Sequence, residues 1–304
     1  MEEINGLERP IVTKFPFLDI DHILNRISER SSPDKPVFVG IGGVSAAGKS
    51  TLASFLSKVL PEAQVFGIDS YLSEGLWDPS KIYNHEPPNP SKPYIGGISP
   101  DIWDFDLIRK HLNLLEQNLP ISMPMFDETI KDRVGYKEFE PSRIILLEGG
   151  HSFGDYLRDI SAYRILVKAP FHDCLMRKII RTHSEYKRDD IDEVIYRYLT
   201  KDEPVRQIYE EEHSAIADQI VNNPATPIAD YNALPATSRT LVKGAYRALN
   251  PKSEYGSLCE GEAVGLIQEG AGFRFYYAIN NKVLVDLPIS RESVEQFSLY
   301  YVIE

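Results

Sequence analysis

The sequence predicts an α/β protein, a parallel sheet with helices on both faces, followed by a small C-terminal β-rich module. Three observations predict it. Runs that are apolar throughout, such as PVFVGIGG (36–43), RIILLEGG (143–150) and AYRILVKAP (162–170), have no polar side and need cover on both faces. Segments of helical spacing alternate with these runs, the arrangement of crossover-connected parallel strands. Beyond Val221-Asn222-Asn223-Pro224 the texture changes to short strand-like runs rich in aromatics, with a hairpin signal. At roughly 150 residues per domain, a chain of 304 accommodates two folding units.

The elements follow in order. LDIDHILNRISER has helical spacing at Leu18, Ile20, Ile23, Leu24 and Ile27 and stops at Ser-Ser-Pro-Asp-Lys-Pro, so residues 1–35 read as a peripheral helical segment. PVFVGIGG is a buried strand, Leu52 to Leu60 a helix closed by Pro61, and AQVFGID (63–69) a second strand. Residues 71–102 are rich in Pro, Gly, Asn and Tyr without periodicity; a loop of about 30 residues is more often functional than idle. Asp104 to Gln117 is a helix with Phe105, Ile108, Leu112 and Leu115 on one side. Strands at 143–150 and 162–170 follow, then helical patterns at 171–183 and 191–219 separated by HSEYKRDD. FRFYYAI (273–279) and VLVDLPI (283–289) flank Asn-Asn-Lys as a hairpin, and AVGLIQ and FSLYYVIE read as further strands. The expected domains are therefore 1–35, 36–224 and 225–304.

Composition removes several classes of function. With 33 Lys+Arg against 45 Asp+Glu the net charge is −12, which argues against a nucleic-acid coat protein. Two cysteines, Cys174 and Cys259, allow no disulfide framework and no all-cysteine zinc site. No apolar run approaches the roughly 20 residues that span a bilayer, and the acidic start MEEINGLERP is unlike a signal peptide. The expectation is a cytoplasmic protein without nucleic-acid or membrane partners.

Gly43-Val44-Ser45-Ala46-Ala47-Gly48-Lys49-Ser50, followed by Thr51, satisfies G-x4-G-K-[ST] between a strand and a helix. Glycines let backbone N–H groups wrap phosphate oxygens, and the helix presents its positive N-terminus to them. Lys49 is placed to reach the β- and γ-phosphates and Ser50 to bind Mg²⁺. A match by chance arises in roughly one chain in a hundred of this length, and the strand–loop–helix context lowers that further. The fold class becomes a P-loop NTPase-type sheet that binds a nucleoside triphosphate.

Two further strands end in carboxylates, Asp69 in Gly67-Ile68-Asp69-Ser70-Tyr71 and Glu148 in Leu146-Leu147-Glu148-Gly149-Gly150. Side chains just past the carboxyl ends of strands face the ligand crevice of an open α/β sheet. There, one carboxylate suits Mg²⁺ and the other suits the proton of an attacking hydroxyl. Asn281-Lys282-Val283-Leu284 lacks the Asp of a guanine-reading N-K-x-D.

This ordered set resembles the uridine kinase and phosphoribulokinase group of small-molecule kinases, which includes type I pantothenate kinase. The resemblance covers about 36–222. Asp69-Ser70-Tyr71 matches the string that holds the catalytic Asp, and Ser99-Pro100-Asp101-Ile102-Trp103-Asp104 loosely matches H-P-D-x-F-D. Phe126-Asp127 with Arg133 matches part of Y-D-F-x-x-H-S-R, Glu148-Gly149 the strand end, and 177–188 the Arg-rich lid. The resemblance implies an ATP- and Mg²⁺-dependent kinase of a small-molecule hydroxyl substrate. It gives Asp69 the role of base and Glu148 support of the metal. Tyr71, Asp101, Asp127 and Arg133 become candidates to hold the acceptor, and Arg177, Arg181 and Arg188 lid candidates. The nucleobase-reading histidine is replaced by Lys131 and the aromatic after Asp127 by Glu128, so an acceptor other than uridine is expected. A sugar phosphate or a pantothenate-like acid is the alternative within the class, and a nucleotide-binding regulator the alternative outside it. His85 and His183 read as ordinary polar positions and Cys174 as a packed thiol. The terminal module carries no motif; self-association into a homo-oligomer is one role open to it.

Overall fold

The computed structural model describes residues 11–14, 20–30, 35–72, 102–127, 132–184, 191–223, 246–251, 262–279 and 282–303. In chain order the elements begin with β1 (Ile11–Lys14), α1 (Ile20–Glu29), β2 (Val37–Gly42), α2 (Lys49–Val59), β3 (Ala63–Gly67) and a 3₁₀ turn (Ile68–Tyr71). They continue with α3 (Phe105–Glu116), β4 (Ile121–Asp127), β5 (Asp132–Phe139), β6 (Ile144–Glu148), β7 (Tyr163–Lys168), α4 (Phe171–Ser184) and α5 (Ile191–Arg197). A π-helical segment (Tyr198–Asp202) precedes α6 (Glu203–Ser214), β8 (Gln219–Asn222), β9 (Tyr246–Pro251), β10 (Glu262–Glu269), β11 (Gly272–Ile279), β12 (Lys282–Ile289), α7 (Arg291–Tyr300) and β13 (Tyr301–Ile303). The chain divides into two compact units, 1–168 with 205–222, and 169–204 with 223–304.

The first unit is built on a six-stranded sheet of order β1-β8-β7-β2-β6-β3, parallel throughout. All six residues of β2 are buried, as are the first four of β6, which is why both strands read as unbroken apolar runs. Strands β2 and β3 follow one another in the chain but are not neighbours; β6 lies between them. Successive strand residues point to opposite faces. Phe38, Ile145 and Leu147 join one core with Ile108, Leu112 and Leu115 of α3 and with Ile121, Met123 and Phe139 of the β4–β5 hairpin. Helix α2 packs against β2, β3 and β6 and buries Leu52, Ala53 and Leu56. Each leucine so buried contributes about 1.5–3 kcal/mol of transfer free energy. Asp104 caps α3 by accepting from Leu107 N at 3.0 Å, a contact of the kind worth about 1 kcal/mol.

The second unit holds an antiparallel five-stranded sheet of order β12-β11-β10-β9-β13. Phe275 of β11 stacks on Phe297 of α7, with centroids 4.9 Å apart. Ser290 caps α7 through its Oγ, which accepts from Ser293 N at 3.1 Å. Tyr277 donates to Asp173 Oδ1 of α4 at 3.1 Å, so two helices of the chain's middle belong to this unit as well.

Several elements differ from the sequence reading. The expected helix over 191–219 ends at Ser214, and Gln219–Asn222 forms β8. FSLYYVIE is the last part of α7 plus β13, not one strand. Ile11–Lys14 forms an edge strand beside β8 within the segment read only as helical, and the β4–β5 hairpin was not foreseen. For β1, β8 and β13 the pairing partner is remote in sequence, so periodicity carries no trace of it. Cys174 is buried, as the apolar spacing around it suggests.

Candidate active site

Strand β2 delivers the chain to the loop 43–48, and α2 starts at Lys49. The loop is wound by Gly43 (φ +149°), Ala46 (φ +63°) and Gly48 (φ +106°). A Cβ at Gly43 would lie 2.5 Å from Val167 O, a backbone atom of the neighbouring strand that cannot yield, so only glycine fits there. Gly48 in turn starts α2, whose Leu52 N bonds to Gly48 O at 3.0 Å. Lys49 is 9% exposed and its Nζ donates to Val44 O at 3.0 Å, which folds the ammonium back over the loop.

Register brings the two carboxylates to the same edge. Glu148 pairs with Ile41 on one side and with Gly67 on the other, so the loop, Glu148 and the turn carrying Asp69 leave three adjacent strands together. Ser50 Oγ donates to Glu148 Oε1 at 3.1 Å, which unites the two residues expected to serve the metal. A hydroxyl and a carboxylate converging at a phosphate loop are oxygen donors of the kind Mg²⁺ takes alongside nucleotide phosphates, so the residues present fit that ion. Asp69 Oδ1 lies 3.5 Å from the point where a Cβ at Gly149 would stand, next to Glu148 in the chain. Asp69 is half-buried, and Thr51 is exposed at the first turn of α2.

The remaining candidates fall elsewhere. Tyr71 is fully buried, stacked on Phe66 at 5.1 Å, and shares its hydroxyl with His111 Nδ1 at 2.7 Å. Burial pushes the Tyr71 phenol well above its usual range against the pull of Arg133, while burial, then Lys110, lowers His111. Tyr71 therefore keeps its proton, and its hydroxyl, expected to face the acceptor, is shared with His111 inside the core, where the ring braces the turn that carries Asp69. Asp127 and Arg133 sit at the end of the β4–β5 hairpin where the two strands are joined, and Phe126 pairs with Arg133. Arg133 Nε and Nη2 are shielded from solvent and have no hydrogen-bond partner among the described residues. Leu72 and Trp103 form an antiparallel bridge, so the ends of the long loop foreseen at 71–102 meet beside this turn. Asp101, His85 and Arg188 lie outside the described residues. Arg177 and Arg181 are on α4, in the second unit.

Sequence reasoning missed Tyr209. Its hydroxyl accepts from Gly43 N at 3.0 Å and donates to Gly150 O. Nothing in the helical run around it marks this position; the double glycines at 42–43 and 149–150 are the only trace in the sequence.

The fold and this site define a phosphate-loop protein in which a strand bearing a carboxylate stands between the loop strand and its successor. The model of the phosphoribulokinase/uridine kinase family matches residues 38–223, and the chain belongs to that family. It is 31% identical over 192 residues to a uridine kinase of Alkaliphilus metalliredigens, covering 62% of this chain and 88% of that one. The inorganic pyrophosphatase TTM1 of Arabidopsis thaliana is 21% identical over 265 residues, 85% of this chain, an alignment too long to lie within 38–223. The chain spans about a third of the length of such larger curated relatives, 37% of TTM1. Among solved structures, a fructose transport system kinase from Silicibacter sp. TM1040 aligns with a TM-score of 0.52 and 21% identity, over 67% of this chain and 98% of that one. At that identity the likeness shows the fold.

Proposed function

We propose that the protein is an ATP-dependent kinase that phosphorylates a hydroxyl of a small molecule. The observation that carries the reading is the register that sets Glu148 between Ile41 and Gly67, so that the phosphate loop and both carboxylates share one edge of the sheet. Phosphoryl transfer asks the protein mainly for positioning and charge neutralisation. Lys49 and the amides of 43–51 hold the β- and γ-phosphates; Ser50 and Glu148 hold Mg²⁺. When bound, Mg²⁺ neutralises phosphate charge. Asp69 accepts the acceptor's hydroxyl proton as that oxygen bonds to the γ-phosphorus, and the bond to the β–γ bridging oxygen breaks to leave ADP. Family membership and the uridine kinase relative support a kinase.

The acceptor is better read as carrying an anionic group than as a nucleoside. Among the described residues two shielded guanidinium nitrogens of Arg133, whose charge acts on Tyr71 of the Asp69 turn, have no hydrogen-bond partner, and ionised oxygens are the partners such donors take most strongly. Lys131 and Glu128 stand where uridine kinases carry a histidine and an aromatic.

The test is Asp69→Asn, assayed for ADP release against a panel of nucleosides, sugar phosphates and hydroxy acids, with MgATP affinity measured by calorimetry. The variant should bind MgATP as the unsubstituted protein does and lose turnover by about 10²- to 10⁴-fold, the usual contribution of a general base. Unchanged turnover refutes the base. A protein that binds MgATP but converts no acceptor is the regulator instead. Arg133→Gln should raise the KM of an anionic acceptor and leave that of ATP alone.

A further inference from the structure

We infer that Tyr209 is a positioning residue for nucleotide binding, one hydroxyl that sets the phosphate loop against the segment following Glu148. The inference rests on the kinase reading only in taking the loop 43–51 as the nucleotide site. Tyr209 stands on α6, fully buried, more than 150 residues along the chain from the loop. Its oxygen accepts from the amide of Gly43, the first residue of the loop, at 3.0 Å, and its proton goes to the carbonyl of Gly150, two residues past Glu148. One side chain thus measures the gap between the segment that wraps the phosphates and the segment that carries the metal-facing carboxylate.

The surroundings are built for this. A Cβ at Gly42 would lie 2.6 Å from the Phe153 ring and 3.0 Å from the Tyr209 oxygen, so the phenol reaches the backbone only because residue 42 has no side chain. The Tyr209 ring is stacked on His213 with centroids 3.8 Å apart at 17°, and His213 Nδ1 donates to Tyr209 O at 2.9 Å. The imidazole thus covers one face of the Tyr209 ring. The phosphate loop motif accounts for Gly43 and Gly48 but not for Gly42, and the approach of Tyr209 and Phe153 does.

Removing the hydroxyl leaves the amide of Gly43 and the carbonyl of Gly150 without their shared partner and loosens the loop's start relative to Glu148. Tyr209→Phe should weaken MgATP binding by about tenfold, the usual order for one buried hydrogen bond. Tyr163→Phe is the matched control: it also deletes one buried hydroxyl contact of the first unit, to Gln219 Oε1 at 3.1 Å, at the start of β7 and away from the loop. Both variants are compared by calorimetry with MgATP and by urea unfolding. Weaker MgATP binding in Tyr209→Phe with ordinary binding in Tyr163→Phe supports the inference. Equal binding by Tyr209→Phe and the unsubstituted protein overturns it, as does an equal loss in both variants, which would be stability alone. An unsubstituted protein that fails to bind MgATP overturns the nucleotide-site reading and this inference together. If Tyr209→Phe does not fold, amide exchange on the unsubstituted protein decides: the Gly43 amide should exchange more slowly than that of Ser45, and equal rates refute the contact.

Discussion

Gly149→Ala tests how closely the two carboxylates depend on each other's backbone. Gly149 follows Glu148, and a Cβ there would stand 2.8 Å from Ile68 Cβ, 3.4 Å from Ile68 Cγ2 and 3.5 Å from Asp69 Oδ1. Carbon atoms rest at about 3.5–4.0 Å, so the added methyl demands a retreat of about 1 Å. Ile68 is fully buried among Phe66, Tyr71 and Leu147 and has no free side into which to move. The 3₁₀ turn must therefore shift as a body, with Asp69 on it. Overpacking of this size costs about 1–3 kcal/mol of stability. Misplacing a reacting group by about 1 Å costs on the order of 10²-fold in rate. The three atoms nearest the added carbon belong to Ile68 and Asp69 and none to the loop or α2, so turnover should fall about 100-fold and MgATP affinity much less. Calorimetry with MgATP and an ADP-release assay on the acceptor from the panel measure the two. Normal turnover, or MgATP affinity falling in step with turnover, would refute the reasoning that Asp69 acts from a position set by the segment after Glu148.

Glu148→Gln removes the charge beside Ser50 Oγ and should raise the Mg²⁺ concentration for half-maximal turnover by about 10- to 100-fold, read from a Mg²⁺ titration at fixed ATP. Tyr71→Phe should leave acceptor KM unchanged and cost about 1–3 kcal/mol in urea unfolding, because it orphans His111 Nδ1; a raised KM with unchanged stability would return Tyr71 to the acceptor site. Burial pushes His213 down to about 4, against about 6.5 in an unfolded chain. Between those values the unfolded chain binds the extra proton, so stability falls as pH drops from about 6.5 to about 4, by up to about 3 kcal/mol. His213→Gln should flatten that part of the profile, as urea midpoints at pH 7 and pH 4.5 would show.

Motif and apolar run carry local information, and what they carried was legible. Lys49, Ser50 and the glycines of the loop could be read because phosphate wrapping demands residue types at fixed spacing. Asp69 and Glu148 could be read because each closes an apolar run, and strand ends are where side chains meet ligands in such sheets. A motif match says nothing about which way the Tyr71 ring turns. Its phenol goes to His111, 40 residues on. Tyr209 was invisible because its partners are the backbone of Gly43 and Gly150, and backbone groups leave no signature in a sequence.

The chain's residues alone therefore determined a nucleotide loop in a parallel sheet and the two carboxylates beside it, since steric and charge requirements act there over a few neighbouring positions. Tertiary structure alone decided that β6 stands between β2 and β3, that 169–204 joins the terminal strands in one unit, and that the charge of Arg133 acts on Tyr71 of the Asp69 turn. Those outcomes depend on which distant segments pair and pack, and pairing energy belongs to both partners at once, so neither stretch of sequence contains it.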